Sequence, residues 1–362
     1  MVEKFTLKTG ISLAPLTTLK IGGNARYFIK AETEAEVVMG LQFADERNLP
    51  VFILGGGSNV LIADTGFDGL VLQIALLGVE SGEWRWESGK LRTDSDSQLS
   101  TLNSQFITAG AGEDWDELVA YCVANDLAGV ECMSGIPGFV GGTPVQNVGA
   151  YGQEVAETIV SVRCLDRESL EIVTLTNAEC GFTYRTSIFN STKRDRYVVL
   201  SVAFALKKGG KPKVAYKDIA ERFGERQPSL QDVRDVVLQI RRSKSMVIDA
   251  DDPNSQSAGS FFKNPIVSRQ RLAELQASYE RIPFFEFGES VKIPAAWLIE
   301  NAGFQKGFAL GNAGISTNHT LALVNRGGAS AAEILSLKAE IQRFVEEKFG
   351  ILLQPEPVFV GF

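Results

Sequence analysis

The chain has 362 residues, 44% apolar and 22% charged, with 36 Lys and Arg against 44 Asp and Glu for a net charge of −8. At roughly 150 residues per domain this is two to three domains with a sizeable core, which excludes global disorder. The acidic balance argues against a nucleic-acid partner, whose phosphates need a basic surface, yet leaves room for a local basic patch around one phosphorylated ligand. The single histidine, His319, nearly removes His-based metal sites and Ser-His-Asp chemistry, so no metal is expected. Cys122, Cys132, Cys164 and Cys180 show no CxxC spacing and read as buried free thiols of a reducing compartment. No apolar run reaches the ~18 residues of a membrane span, and the start MVEKFTLKTG lacks a signal peptide's apolar stretch. A cytoplasmic protein with no membrane partner is expected.

In chain order, residues 26–32 read as a strand. Residues 33–48 read as a helix, with Thr33 as N-cap and Glu36 three residues on in a capping-box pattern. VFIL (51–54) is a buried strand that runs into Gly55-Gly56-Gly57-Ser58-Asn59, and 60–64 and 69–74 read as further strands. Residues 79–105 read as a hairpin with an extended polar tip. FITAGAGED (106–114) is a strand ending in glycines, followed by a helix over 115–127. Strands follow at 158–165, 170–176 and 197–206, then a helix over 229–242 ending in Arg241-Arg242. Beyond 243 come a loop at 249–259, helices at 268–278 and 294–301, a strand at 321–325, and a helix over 331–348 capped by Ser330. The tail ILLQPEPVFVGF reads as a strand pair broken by Pro355 and Pro357. The mixture indicates an α+β protein of at least two domains.

The 35 glycines cluster. GGGSN lacks the GK[ST] of a Walker A loop and the GxGxxG of a dinucleotide fingerprint. A strand ending in glycines nonetheless exposes successive N–H groups that can form an anion-binding nest; a tight hairpin turn between VFIL and VLIAD is the plainer alternative. GIPGFVGGTPVQNVGAYG (135–152) holds six glycines and two prolines with no charge. A buried irregular loop is possible, but its amides then need partners, which a flat cofactor with a diphosphate would supply. Two such loops suggest a nucleotide-type cofactor held by two lobes.

These segments, together with LTTLKIGG (16–23), GAGEDWDELV (110–119), FTYRTSIF (182–189), AGSFFKNP (258–265), AAWLIENAG (295–303) and PEPVF (355–359), resemble the UDP-N-acetylenolpyruvoylglucosamine reductases, flavoenzymes of bacterial cell-wall synthesis. The resemblance covers at least residues 16–362. It implies a two-lobed FAD-binding domain of vanillyl-alcohol-oxidase (PCMH) type, with lobes at 1–75 and 76–242, the second joined by 351–362, and a separate α+β substrate domain at 243–350. It implies non-covalent FAD, NADPH as co-substrate, and UDP-N-acetylglucosamine enolpyruvate as the small molecule reduced. A monomer is expected, since a flavin domain of this size can work alone.

The motifs carry flavin contacts onto Gly55, Gly57, Ser58, Asn59, Ile136, Gly142, Gln146, Asn147 and Gly149. They carry catalytic roles onto Arg185, Ser260 and Glu356. By itself Arg185 could be a surface cation, Ser260 a turn residue and Glu356 a terminal loop charge, though Pro355 and Pro357 fix the backbone around Glu356. The resemblance makes Arg185 the cation that meets enolate-like charge on the substrate carboxylate and Ser260 the proton donor to carbon. Tyr216, Arg241, Lys244 and Asn264 match nucleotide-sugar positions. Tyr216 could equally be a packed aromatic, and cations at a helix C-terminus suffice to explain Arg241 and Arg242. His319 is open between ligand contact and structure. Two rival readings stand: an oxidase or dehydrogenase of the same fold with flavin tethered through Cys132 or Cys164, and a catalytically silent nucleotide-sugar sensor.

Overall fold

The computed structural model describes residues 6–82, 84–87, 90–93, 104–279 and 281–362. The chain divides into two compact units. The first combines residues up to Thr9 with Tyr27–Gly56 and Gly69–Arg242, and the second combines Gly10–Arg26, Gly57–Asp68 and Ser243–Phe362.

In the first unit, Val51–Leu54 runs parallel to Phe67–Ile74, with Val51 opposite Leu70 and Leu54 opposite Gln73. The helix Glu34–Asp45 begins with the expected reciprocal cap of Thr33 and Glu36 and buries Val37, Leu41 and Ala44. Its Gly40 lies against Leu72, whose methyl group would stand 3.0 Å from an added Cβ. The larger sheet is six-stranded and antiparallel, in the order Ile172–Thr176, Ile159–Asp166, Tyr197–Lys208, Ser104–Gly110, Val79–Gly82, with Leu127–Ala128 also on Tyr197–Lys208. The helix Trp115–Ala124, capped by Asp114, sets Trp115 against Phe204 at 5.9 Å. The indole N–H donates to the Met133 carbonyl. Trp84–Glu87 pairs antiparallel with Lys90–Thr93; of the expected polar tip at 92–105, residues 94–103 lie outside the described residues.

In the second unit, Val358–Val360 runs parallel to Val60–Ile62. The expected strand pair in the tail is therefore one strand only. Residues 351–354 are irregular, because Pro355 and Pro357 interrupt extended pairing before Val358. The hairpin alternative for GGGSN also fails, since Val51–Leu54 and Val60–Ile62 belong to different sheets. The helix Ala331–Phe349 has the Ser330–Glu333 capping box. The Asp64 carboxylate also accepts from the Ala331 and Ala332 amides at 2.7 and 3.1 Å, where the helix dipole favours negative charge. Its apolar face, Ile334, Leu337, Ile341, Val345 and Phe349, closes a core with Leu298, Ile299, Phe261 and Phe262. Small sheets of three strands complete this unit, at Ile266–Ser268 with Ser290–Lys292 and Phe285–Phe287, and at Ala309–Leu310 with Ala313–Ile315 and Leu323–Asn325.

Candidate active site

Within the first unit the two glycine segments touch. A Cβ added at Gly56 would lie 2.7 Å from the Gly138 Cα and 3.0 Å from the Phe139 nitrogen. Gly141 packs as closely on Ala111, and Gly112 on the Ala75 backbone. These glycines permit backbone-on-backbone packing. Gly55 and Gly142 differ, because nothing lies within 4 Å of a Cβ built on either. Each therefore leaves open space where a side chain would otherwise stand.

The expectation that the loop amides need a cofactor as partner is corrected by the hydrogen bonds. Val140 donates to Glu113, Gly141 to Ala111, Gly142 to Phe139, Thr143 to Val140 and Val148 to Thr143. The loop folds into short turns and a bridge along 111–114, so much of its backbone is satisfied by the chain itself. Open glycine faces, rather than a shortage of partners, are what fit a cofactor here.

Arg185 stands at φ +52°, a left-handed conformation that is unusual for a residue with a side chain. Its guanidinium donates to the Gly149 carbonyl at 2.6 Å and to the Asn147 carbonyl at 3.4 Å. Asn147 is buried, also with positive φ. Its amide donates to the Glu154 carboxylate and the Thr183 carbonyl and accepts from the Ala156 amide. Ser187 donates to the Val145 carbonyl at 2.6 Å. The segment 145–149 is thus sewn to 183–187, and the Asn147 side chain is committed to holding that seam. Ile136 and Gln146 are half-buried on the same loop.

Also in the first unit, the Tyr151 and Tyr216 rings meet edge to face at 5.4 Å. Arg241 is buried, with the Tyr151 hydroxyl as a hydrogen-bond partner; burial pulls its pKa down, opposed by Tyr151 and Asp116. Burial likewise raises Tyr151 and Tyr216. Helix-terminal cation placement therefore suits exposed Arg242 but not Arg241. Sequence reasoning missed Tyr151; its place in the crowded GAYG turn was the available signal.

In the second unit, Gly57 stands at φ +66° with the Leu16 carbonyl 1.9 Å from an added Cβ, so only glycine fits there. Ser58 is half-buried next to it. Lys263 donates through its amide to Gln354, Glu356 through its amide to Phe261 at 2.9 Å, and Phe262 bridges Pro355 antiparallel. This pairing sets Ser260 and Glu356, distant in sequence, at neighbouring positions. The Asn59 amide reaches the Glu356 carbonyl at 3.4 Å. The Phe261 amide donates to Leu321 at 2.7 Å, which brings the His319 turn alongside and places His319 Nε2 3.4 Å from Ser260 Oγ. Lys244 is half-buried. The Asn264 side chain accepts from the Ala295 amide at 2.9 Å, at the start of Ala295–Asn301. Arg185, Tyr216 and Arg241 belong to the first unit, and Ser260, Glu356, Lys244 and Asn264 to the second.

All four cysteines are free and buried. Desolvation pushes Cys122 and Cys180 up to about 12 and raises Cys132 and Cys164 as well, which suppresses the thiolate needed for a covalent flavin link. Among the described residues, no group of three or more His, Cys, Asp or Glu could hold a metal ion, and no helix is long and apolar enough to cross a membrane.

Comparison with known proteins bears on both units. Residues 25–176 match the family model described as FAD binding domain, and residues 251–360 match UDP-N-acetylenolpyruvoylglucosamine reductase, C-terminal domain. The UDP-N-acetylenolpyruvoylglucosamine reductase of Thermobifida fusca is 44% identical over 97% of each chain. That of Streptomyces coelicolor is 44% identical over 96% of this chain and 89% of its own. The crystal structure of UDP-N-acetylenolpyruvylglucosamine reductase from Thermus caldophilus aligns with TM-score 0.63 at 24% identity, over 99% of both chains. That likeness confirms the fold.

Proposed function

The chain belongs to the UDP-N-acetylenolpyruvoylglucosamine reductase family, and from that premise we propose how its residues carry the reaction. The protein is an FAD-dependent reductase that uses NADPH to reduce the enolpyruvyl ether of UDP-N-acetylglucosamine to UDP-N-acetylmuramate, a step in peptidoglycan precursor synthesis. Bound FAD supplies the hydride, received from NADPH.

Gly55, Gly142, Ile136 and Gln146 are assigned to the cofactor's faces, and Gly57, Ser58 and Asn59 to the turn that approaches it. Asn147 and Gly149 are assigned to the flavin as well, through the loop that their hydrogen bonds hold in register. Arg185 is assigned to the substrate carboxylate. Hydride addition to the vinyl carbon loads that carboxylate with enolate-like charge, and a forked guanidinium already aimed by two carbonyls meets it without reorganisation. Ser260 Oγ gives the proton to the adjacent carbon. A serine hydroxyl is a weak acid, so the resulting alkoxide needs help. His319 Nε2, within hydrogen-bond reach, is placed to restore its proton. Glu356 is assigned to polarising the substrate, as a protonated carboxyl or through a bridging water. Tyr216, Arg241, Lys244 and Asn264 are assigned to the nucleotide sugar, Arg241 as the buried cation for its diphosphate.

The observation that carries the assignment is the backbone pairing that seats Ser260 beside Glu356, with His319 at the serine hydroxyl. FAD-binding lobes at 1–75 and 76–242, a substrate domain at 243–350, non-covalent FAD, a cytoplasmic location and a monomer without nucleic-acid partners belong to the same proposal. The test is to mix purified flavin-loaded protein with NADPH and UDP-N-acetylglucosamine enolpyruvate and follow NADPH absorbance. Substrate-dependent loss supports the reading. No loss, in protein whose FAD is still reduced by NADPH, refutes it.

A further inference from the structure

We infer that Asp116 is a positioning residue that holds the flavin loop and the substrate-binding helix on one carboxylate. Asp116 lies in the first turn of Trp115–Ala124. Its Oδ1 accepts from the Gly135 amide at 2.6 Å, immediately before Ile136. The same carboxylate takes both guanidinium nitrogens of Arg234, at 2.6 and 2.9 Å. The Arg234 side chain is 11% exposed and that of Asp116 31%, so the pair is shielded and bidentate rather than a loose surface contact.

Arg234 sits on Leu230–Ser243, seven residues before Arg241, and two helical turns put both on one side. On the same helix Val233, Val237 and Ile240 pack with Ile219, Tyr151 and Phe223, the surroundings of Tyr216. A shift of this helix therefore moves Arg241 relative to Tyr151, while Gly135 anchors the cofactor loop to the same acid. Burial opposes ionisation of Asp116, yet the Arg234 and Gly135 hydrogen bonds outweigh it and hold the carboxyl below its usual range. The carboxylate is thus charged throughout the neutral range.

The inference rests on the reductase reading. Wild-type turnover tests that reading, whereas the variants test only the coupling. Three variants separate its two arms. Asp116→Asn keeps an acceptor for Gly135 but loses the charge for Arg234. Arg234→Gln removes the ion pair alone. Asp116→Ala removes both. Fluorescence titration of apoprotein with FAD should show Asp116→Ala weakened on the order of tenfold, as for a lost hydrogen bond to a charged group, with the other two near wild type. Steady-state kinetics should show a KM for the nucleotide sugar raised about tenfold in Asp116→Asn and Arg234→Gln, with KM for NADPH unmoved. The double variant Asp116→Asn/Arg234→Gln should be no worse than either single, because one pair is broken. Arg226→Gln, which breaks an exposed pair with Asp232 on the same helix, should leave KM unchanged. The inference is overturned if FAD affinity is unchanged in Asp116→Ala, or if Arg234→Gln only lowers the melting temperature with KM intact. Should Asp116→Ala not fold, the KM results of the two conservative variants decide.

Discussion

Replacing Gly56 and Gly142 in turn separates the two uses of glycine in the cofactor loops. Gly56 has ordinary φ, so alanine there costs no backbone strain, and only space is at issue. Its methyl carbon would stand 2.7 Å from the Gly138 Cα, and ordinary packing distance begins near 3.4 Å. The two segments must part by about 0.7 Å, and backbone on both sides gives way poorly, so the cost is that of an overpacked contact, roughly 1–3 kcal/mol. Gly56→Ala should therefore lower the melting temperature of the apoprotein by several degrees. It should also weaken FAD binding, because the faces that flank the ligand are displaced together. Gly142→Ala meets nothing in the protein. Its apoprotein should melt as wild type does, yet FAD binding, titrated by flavin fluorescence, should weaken about tenfold if the ligand lies on that face. Unchanged FAD affinity in Gly142→Ala would remove the cradle assignment. An unchanged melting temperature in Gly56→Ala would refute the packing argument.

Ser260→Ala should slow the half-reaction with the nucleotide sugar by several orders of magnitude while reduction by NADPH stays near wild type; stopped-flow absorbance follows each, and equal losses in both would sink the proton-donor role. Tyr216→Phe keeps the edge contact with the Tyr151 ring and removes only the hydroxyl, so KM for the nucleotide sugar should rise several-fold; an unmoved KM would reduce Tyr216 to a packed aromatic. The Arg196 guanidinium, at 2.8 and 3.0 Å, holds the Asp166 carboxyl below its usual range. Its contribution is complete above the unfolded carboxyl value of about 3.9 and is lost as pH falls through the lower folded value. Melting curves of Asp166→Asn should thus lose part of the acid dependence below about pH 4, and a curve parallel to wild type there would contradict the pairing.

Helix starts are written in adjacent letters. Thr33 with Glu36, Asp114 before Trp115, and Ser330 before an apolar 3.6-residue repeat are i to i+3 signals whose partners are fixed by the helix itself, so each is readable without knowledge of the rest of the fold. The family is legible because several separated motifs recur together in a fixed order along nearly the whole chain. Other features are decided by backbone pairing between segments far apart in the chain, whose partners no local pattern names. The tail misleads because the apolar run Ile351-Leu352-Leu353 suits a strand, while the prolines that follow deny the ladder its donors. The hairpin alternative at GGGSN assumes that neighbouring strands pair, but Val60–Ile62 pairs with Val358–Val360. Likewise Ser260, Glu356 and His319 converge through main-chain hydrogen bonds at Phe261 and Lys263, and Gly56 meets Gly138 backbone to backbone, with no side chain between them. By itself the sequence determined which residue types were available for proton transfer and for meeting negative charge. Tertiary structure decided which of them stand together, because packing across long loops is set by the fit of whole surfaces and leaves no local pattern to read.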